Sequence, residues 1–121
     1  MKNLLLLWKA FDYSLQGIRN TFYDEIAFRT ELAVAVILIN AALLFPVLLI
    51  VRILQIVSVL LVSIIELLNT AVEAAVNRIS IEQHTLSTKA KDAGSAAVLM
   101  SSIILVVVWG IVLFDLIFDI S

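Results

Sequence analysis

Residues 53–77 read ILQIVSVLLVSIIELLNTAVEAAVN. The charge-free part, Ile53 to Ile65, would rise only about 20 Å as a helix, too little to cross a hydrocarbon core of about 30 Å. It becomes a crossing only if the helix continues through Glu66, Asn69, Thr70 and Glu73 to Asn77. At 100° per residue these five polar positions fall within roughly a 100° arc. That face cannot meet lipid, because a carboxylate at membrane depth costs on the order of 2.5–3.5 kcal/mol. Glu66 and Glu73 stand about 10 Å apart along the axis, one near the inner boundary and the other deeper. The stretch is therefore read as a spanning helix whose polar stripe faces protein, water or a ligand. Holding a bundle together is the plain structural use of such a stripe, but intramembrane acids mark functional sites by default.

The flanking sequence supplies the remaining crossings. No charged residue lies between Glu31 and Arg52, nor between Asp92 and Asp115, and each gap is about the 20 residues a spanning helix requires. The spacing predicts spans over about 28–49, 53–77 and 92–118, with Pro46 ending the first and a tight turn running from Phe45 to Arg52. Ahead of them Leu4, Trp8, Phe11, Leu15, Ile18 and Phe22 recur at alternating steps of four and three, with Lys9, Asp12, Gln16, Arg19 and Asn20 on other faces. This pattern predicts an amphipathic helix over about 4–24 lying in the membrane interface. A cleaved signal peptide is disfavoured, since the apolar run stops at Lys9 and no small-residue cleavage site follows. The fold class expected is an all-α membrane protein, one domain over 1–121, with a surface helix and three transmembrane helices.

Composition agrees. The chain of 121 residues is 63% hydrophobic and 15% charged, against about 45–50% and about 25% in soluble domains, with a mean hydropathy of +1.13. A soluble globular enzyme is excluded on these figures. The formal charge of −2 gives no basic face for nucleic acid, and the absence of cysteine removes disulfides, thiolate metal sites and a cysteine nucleophile. Lys2, Lys9, Arg19, Arg29, Arg78, Lys89 and Lys91 fall on one side of the three-span arrangement and only Arg52 on the other. By the positive-inside rule the N-terminus and the loop between the second and third spans are cytoplasmic.

More acids gather at the depth of the stripe. Asp24 and Glu25 precede the first span and Glu31 sits in its first turns. Asp24 is read as a complement to a helix dipole. Glu25 and Glu73 together suit Mg²⁺, which is held by one or two carboxylates plus phosphate oxygens. The loop from Arg78 to Asp92 brings Glu82, His84, Lys89 and Lys91, with Ser87 or Thr88 as an expected helix cap. Ala90, Gly94, Ala97 and Ser101 form a small-residue packing stripe. There is no GxxxxGK[ST], GxGxxG, HRD or DFG run, so nucleotide chemistry here needs a site of another design.

With ELLNTAVEAAVNRI over 66–79, His84, and KAKDAGSAA over 89–97, the sequence resembles the small bacterial integral-membrane diacylglycerol kinases. Lys9-Ala10, Tyr13-Ser14, Gly17, Arg19 and the run Glu25-x-Ala27-Phe28-Arg29-x-Glu31 extend the resemblance over nearly the whole chain. It implies a homotrimer of three-span protomers with shared active sites, transferring the γ-phosphoryl group of MgATP to a lipid hydroxyl. It further implies Glu66 as the general base with Asn69 beside it, and Glu25 and Glu73 as ligands of Mg²⁺. Tyr13, Glu82, His84, Lys91 and Asp92 would join those two acids around the nucleotide. Arg19, Arg29, Glu31, Arg52, Ser95 and Trp109 would line the lipid side. Two positions depart from the family pattern: Leu6 stands where an arginine is expected near the lipid head group, and Asn77 replaces a frequent aspartate. Two rivals remain at this point. An undecaprenol kinase would work by the same mechanism, and a small multidrug transporter subunit would show four spans with its essential Glu in the first.

Overall fold

The computed structural model describes residues 2–79 and 85–118, all but a few of them helical. Four helices follow in order: α1 (Lys2–Asp24), α2 (Ile26–Leu44), α3 (Leu49–Ile79) and α4 (Thr85–Phe118). The last three are long and apolar enough to cross a membrane. The chain is thus an all-helical, multi-pass membrane protein, in which helices satisfy their own backbone hydrogen bonds where water cannot. Three such helices among the described residues, rather than four, remove the main structural expectation of the transporter reading.

Element ends differ from the spans expected above. α2 stops at Leu44, where Phe45 turns extended ahead of Pro46 (φ −67°, ψ 138°). α3 then begins at Leu49, so Arg52 lies within it and not in the turn, its N–H bonded to the Leu48 carbonyl at 3.0 Å. The Arg52 guanidinium reaches back to cap α2, with Nε donating to the Ala42 carbonyl at 3.0 Å and Nη2 to that of Phe45 at 2.9 Å. Carbonyls left over at a helix end are thereby satisfied. α4 starts at Thr85, which puts Ser87 and Thr88 inside the helix, not at its cap, and makes Lys89, Lys91 and Asp92 helical. At 1.5 Å per residue α3 and α4 are about 46 and 51 Å long, so both extend beyond a hydrocarbon core of about 30 Å.

α3 is the centre of the bundle, packed most extensively on α4 and next on α2, while α1 touches α2 and α3 lightly. Ala35 and Ala42 of α2, Val59 of α3 and Trp109 of α4 form the buried core. The Trp109 indole donates to the Gln55 carbonyl at 3.3 Å and meets the Phe45 ring edge-on, centroids 5.8 Å apart. On α4 the packing face includes Ala90, Gly94 and Ser101, whereas Ala97 is exposed. No more than 28% of any spanning window is buried within the chain, so most of its apolar surface faces outward, as a lipid solvent allows.

Gln55 is fully buried, yet neither atom of its side-chain amide has a hydrogen-bond partner among the described residues. Replacing an unsatisfied buried polar group with an apolar one of similar shape is neutral to stabilising, and the orphaned group itself costs about 1–3 kcal/mol. Gln55→Met is therefore expected to raise the thermal unfolding midpoint in detergent micelles and leave turnover unchanged. A lowered midpoint would reveal a partner for the amide.

Candidate functional site

The polar stripe of α3 meets the junction of α1 and α2. Helical hydrogen bonding runs almost unbroken there, with Glu25 N–H bonded to the Thr21 carbonyl at 2.9 Å and Arg29 N–H to that of Glu25 at 3.2 Å. Glu25 alone turns extended (φ −119°, ψ 112°) as the N-cap of α2, and its carboxylate makes no capping bond. The side chain is left free to line a cleft of about 390 Å³ between α1 and α3. Gly17, Asn20, Thr21 and Asp24 form one wall, and Thr70, Glu73, Ala74 and Asn77 the other. Asp24, which the sequence reading assigned to a helix dipole, is thus the last residue of α1 and part of this lining.

Asn69 organises the deeper end. Its Nδ2 donates to Glu73 Oε1 at 3.3 Å, an orientation the carboxylate enforces because it can only accept. The opposite atom, Oδ1, is buried without a partner among the described residues. It abuts Gly94 so closely that a Cβ at that position would collide with it. Gly94 is therefore a close-approach residue: a side chain there requires the Asn69 side chain to shift.

Glu66 lies about one turn further from the cleft than Asn69 and is half-buried. The charges of Glu73 and Glu25 both act on it, and its own acts on Glu31. The structure therefore brings Glu25, Glu31, Glu66, Asn69 and Glu73 into one neighbourhood. Glu31 is held from α3 by Ser63, whose Oγ is 2.9 and 2.8 Å from the two carboxylate oxygens. The sequence reading missed Ser63, although it stands three residues before Glu66 and so extends the same stripe.

The other expected site residues scatter. Lys91 is half-buried and, one turn from Gly94, shares the α4 side turned to α3, while Asp92 and Ser95 are exposed. Tyr13 is exposed on α1 and does not line the cleft. Arg19 rests over the Tyr23 ring at 5.9 Å, and Arg29 Nη1 reaches the Tyr23 carbonyl at 3.5 Å. Arg52 and the neighbour of Trp109, Gln55, are about 21 and 16 Å from Glu66 along α3, engaged in the cap and core described above. Glu82 and His84 lie outside the described residues.

Among the described residues no three His, Cys, Asp or Glu converge as metal ligands. The donor set suits a cation completed by substrate. Two carboxylates from different elements line one cleft, one of them free of capping and the other keeping lone pairs beyond its bond to Asn69. Such a donor set fits an Mg²⁺ ion that keeps waters and phosphate oxygens as its remaining ligands.

Comparison with known proteins decides the family. Residues 12–113 match the family model described as prokaryotic diacylglycerol kinase. The chain belongs to the prokaryotic diacylglycerol kinase family. Its similarity to the diacylglycerol kinase of Haemophilus influenzae is 50% identity over 102 residues, covering 84% of this chain and 86% of that protein. For the Escherichia coli K12 diacylglycerol kinase it is 46% over 107 residues, 88% of each chain. For that of Helicobacter pylori J99 it is 34% over 118 residues, 98% of this chain and 92% of the other. As a member of the diacylglycerol kinase family the chain is a kinase.

Proposed function

We propose that this protein transfers the γ-phosphoryl group of MgATP to the hydroxyl of diacylglycerol, giving phosphatidic acid, at the cytoplasmic face of the bacterial inner membrane. The observation that carries the reading is the cleft that holds Glu25 and Glu73, with Glu66 deeper on the same α3 stripe. Water-soluble nucleotide would enter at the wet end and the lipid alcohol would arrive from the hydrocarbon end.

Phosphoryl transfer demands positioning and charge neutralisation more than covalent chemistry. Glu25 and Glu73 would hold Mg²⁺ against the phosphates, where the cation neutralises charge on the transferred group. Glu66 accepts the proton of the lipid hydroxyl as that oxygen bonds to the γ-phosphorus and ADP departs. Asn69 keeps Glu73 turned toward the cleft. Lys91 is suited to a phosphate from the α4 side, and Tyr13, Glu82, His84 and Asp92 to the remainder of the nucleotide. Arg19, Arg29, Glu31 and Ser95 serve the lipid head group, while Arg52 and Trp109 are in reach only of its acyl chains.

A homotrimer with shared sites is part of the same reading, supported by the outward apolar surface of the single chain. α1 would lie in the interface as an amphipathic helix. Gly17, Asn20, Thr21 and Asp24 line the cleft, and on a helical wheel they oppose the Leu4–Phe22 apolar stripe. The basic residues at the α1 and Arg78–Lys91 end support a cytoplasmic N-terminus.

The test is transfer of labelled γ-phosphate from MgATP to diacylglycerol and to undecaprenol in parallel mixed micelles, with Glu66→Gln as control. Preference for diacylglycerol, lost in the variant, is expected. Preference for undecaprenol would keep the mechanism and replace the substrate, and transfer to neither would overturn the reading.

A further inference from the structure

Glu31 and Ser63 form the one hydrogen-bonded side-chain pair that joins two helices among the described residues. Ser63 is buried, and Glu31 is half-buried about two turns into α2. No Lys or Arg among the described residues bonds to this carboxylate, so at its depth the Ser63 hydroxyl is the donor that orients it. One proton shared across both oxygens leaves the outer lone pairs of the carboxylate unused. Those lone pairs belong to an acid within electrostatic reach of Glu66. Ser63 itself precedes Glu66 by three residues, about 4.5 Å along α3 on the hydrocarbon side.

An alcohol entering from hydrocarbon has no water to bond and pays for every unsatisfied polar group. An oriented acceptor on its path lowers that cost and delivers the hydroxyl to the base in a fixed attitude. We infer that Ser63 is a positioning residue for the lipid substrate, clamping the Glu31 carboxylate to α3 just below Glu66 so that the incoming hydroxyl meets an oriented acceptor before it reaches the base. This rests on the reading of Glu66 as base and Glu31 as part of the lipid side. It adds a residue that contacts Glu31 and acts through it.

The experiment is steady-state kinetics in mixed micelles, varying the mole fraction of diacylglycerol and the MgATP concentration separately. Ser63→Ala should raise the lipid KM about fivefold, the size expected for one lost hydrogen bond. Its kcat and its KM for MgATP should stay near the parent values. Ser63→Thr and Ser63→Val have the same shape and differ by the hydroxyl, so Thr should keep the parental lipid KM and Val should match Ala. In a Glu31→Ala background the removal of Ser63 should have no further effect. If Glu31→Ala raises the lipid KM while Ser63→Ala does not, the clamp is overturned and the lipid-side role of Glu31 stands. Should Glu31→Ala itself leave the lipid KM unchanged, that role and the clamp fall together, with Glu66 still tested by its own variant. A loss shared by kcat and both KM values, equal in Thr and Val, would assign Ser63 to packing and overturn the inference.

Discussion

Glu66→Gln is expected to slow phosphoryl transfer to diacylglycerol by about 10²–10⁴-fold, the usual worth of a general base, while MgATP affinity stays within about twofold. Glutamine preserves shape and hydrogen-bonding reach but cannot take a proton at this step. Among the described residues the Glu66 carboxylate accepts no hydrogen bond, and it does not line the Glu25–Glu73 cleft. Its replacement should therefore disturb neither packing nor nucleotide. The control follows from the same placement: an amide at membrane depth is cheaper than a carboxylate, so the thermal midpoint should hold or rise as activity collapses. Equilibrium binding of MgATP and single-turnover transfer, measured on one preparation, separate the two steps. Transfer near the parental rate would remove Glu66 from the role of base, and a parallel loss of nucleotide binding would make it a structural acid instead.

The crossings were legible because charge is excluded from hydrocarbon. The gaps after Glu31 and Asp92 count out spans without any knowledge of packing. The stripe from Glu66 to Asn77 was equally legible, since a helical period fixes which residues share a face before any neighbour is known. Ends were harder. Leu48 to Val51 are aliphatic and carry no start signal, so the sequence does not show that α3 begins at Leu49 and takes in Arg52. The α4 start at Thr85 was hidden because its first two turns are polar and lack an apolar period. The break between α1 and α2 falls at Glu25, at neither glycine nor proline.

Partners across helices were not legible at all. Ser63 with Glu31 and Gly94 with Asn69 depend on the register between antiparallel helices, and one sequence does not contain it. Glu31 to Ser63 and Ala42 to Arg52 share a single register between α2 and α3, since 31 and 63 sum to the same value as 42 and 52. Once either contact is known, the other is foreseeable. The same register sets Glu25 opposite Asn69, which explains why an acid at the α1–α2 junction joins the α3 stripe.

Glu73→Gln is the second large effect expected, and it should appear in binding rather than in the proton-transfer step. Glutamine can still accept from Asn69 Nδ2 through its carbonyl, so the 3.3 Å contact and the buried Asn69 against Gly94 persist. What is lost is the negative charge facing Glu25 across the cleft. Outer partners of metal ligands alone are worth about 10–100-fold in metal affinity, and loss of a direct carboxylate ligand should cost no less. The Mg²⁺ concentration for half-maximal nucleotide binding should thus rise by at least about tenfold, with Mg²⁺-independent binding little changed. Glu25→Gln should act in the same direction. The double variant should fall short of the sum of the two, because the carboxylates serve one cation and act as a unit. Titration of nucleotide binding against Mg²⁺ in all three variants makes the comparison. A Glu73→Gln protein with unaltered Mg²⁺ dependence would detach the cation from this cleft. Strict additivity would instead give each acid a cation of its own, and Asp24, in the same lining, would become the next carboxylate to replace.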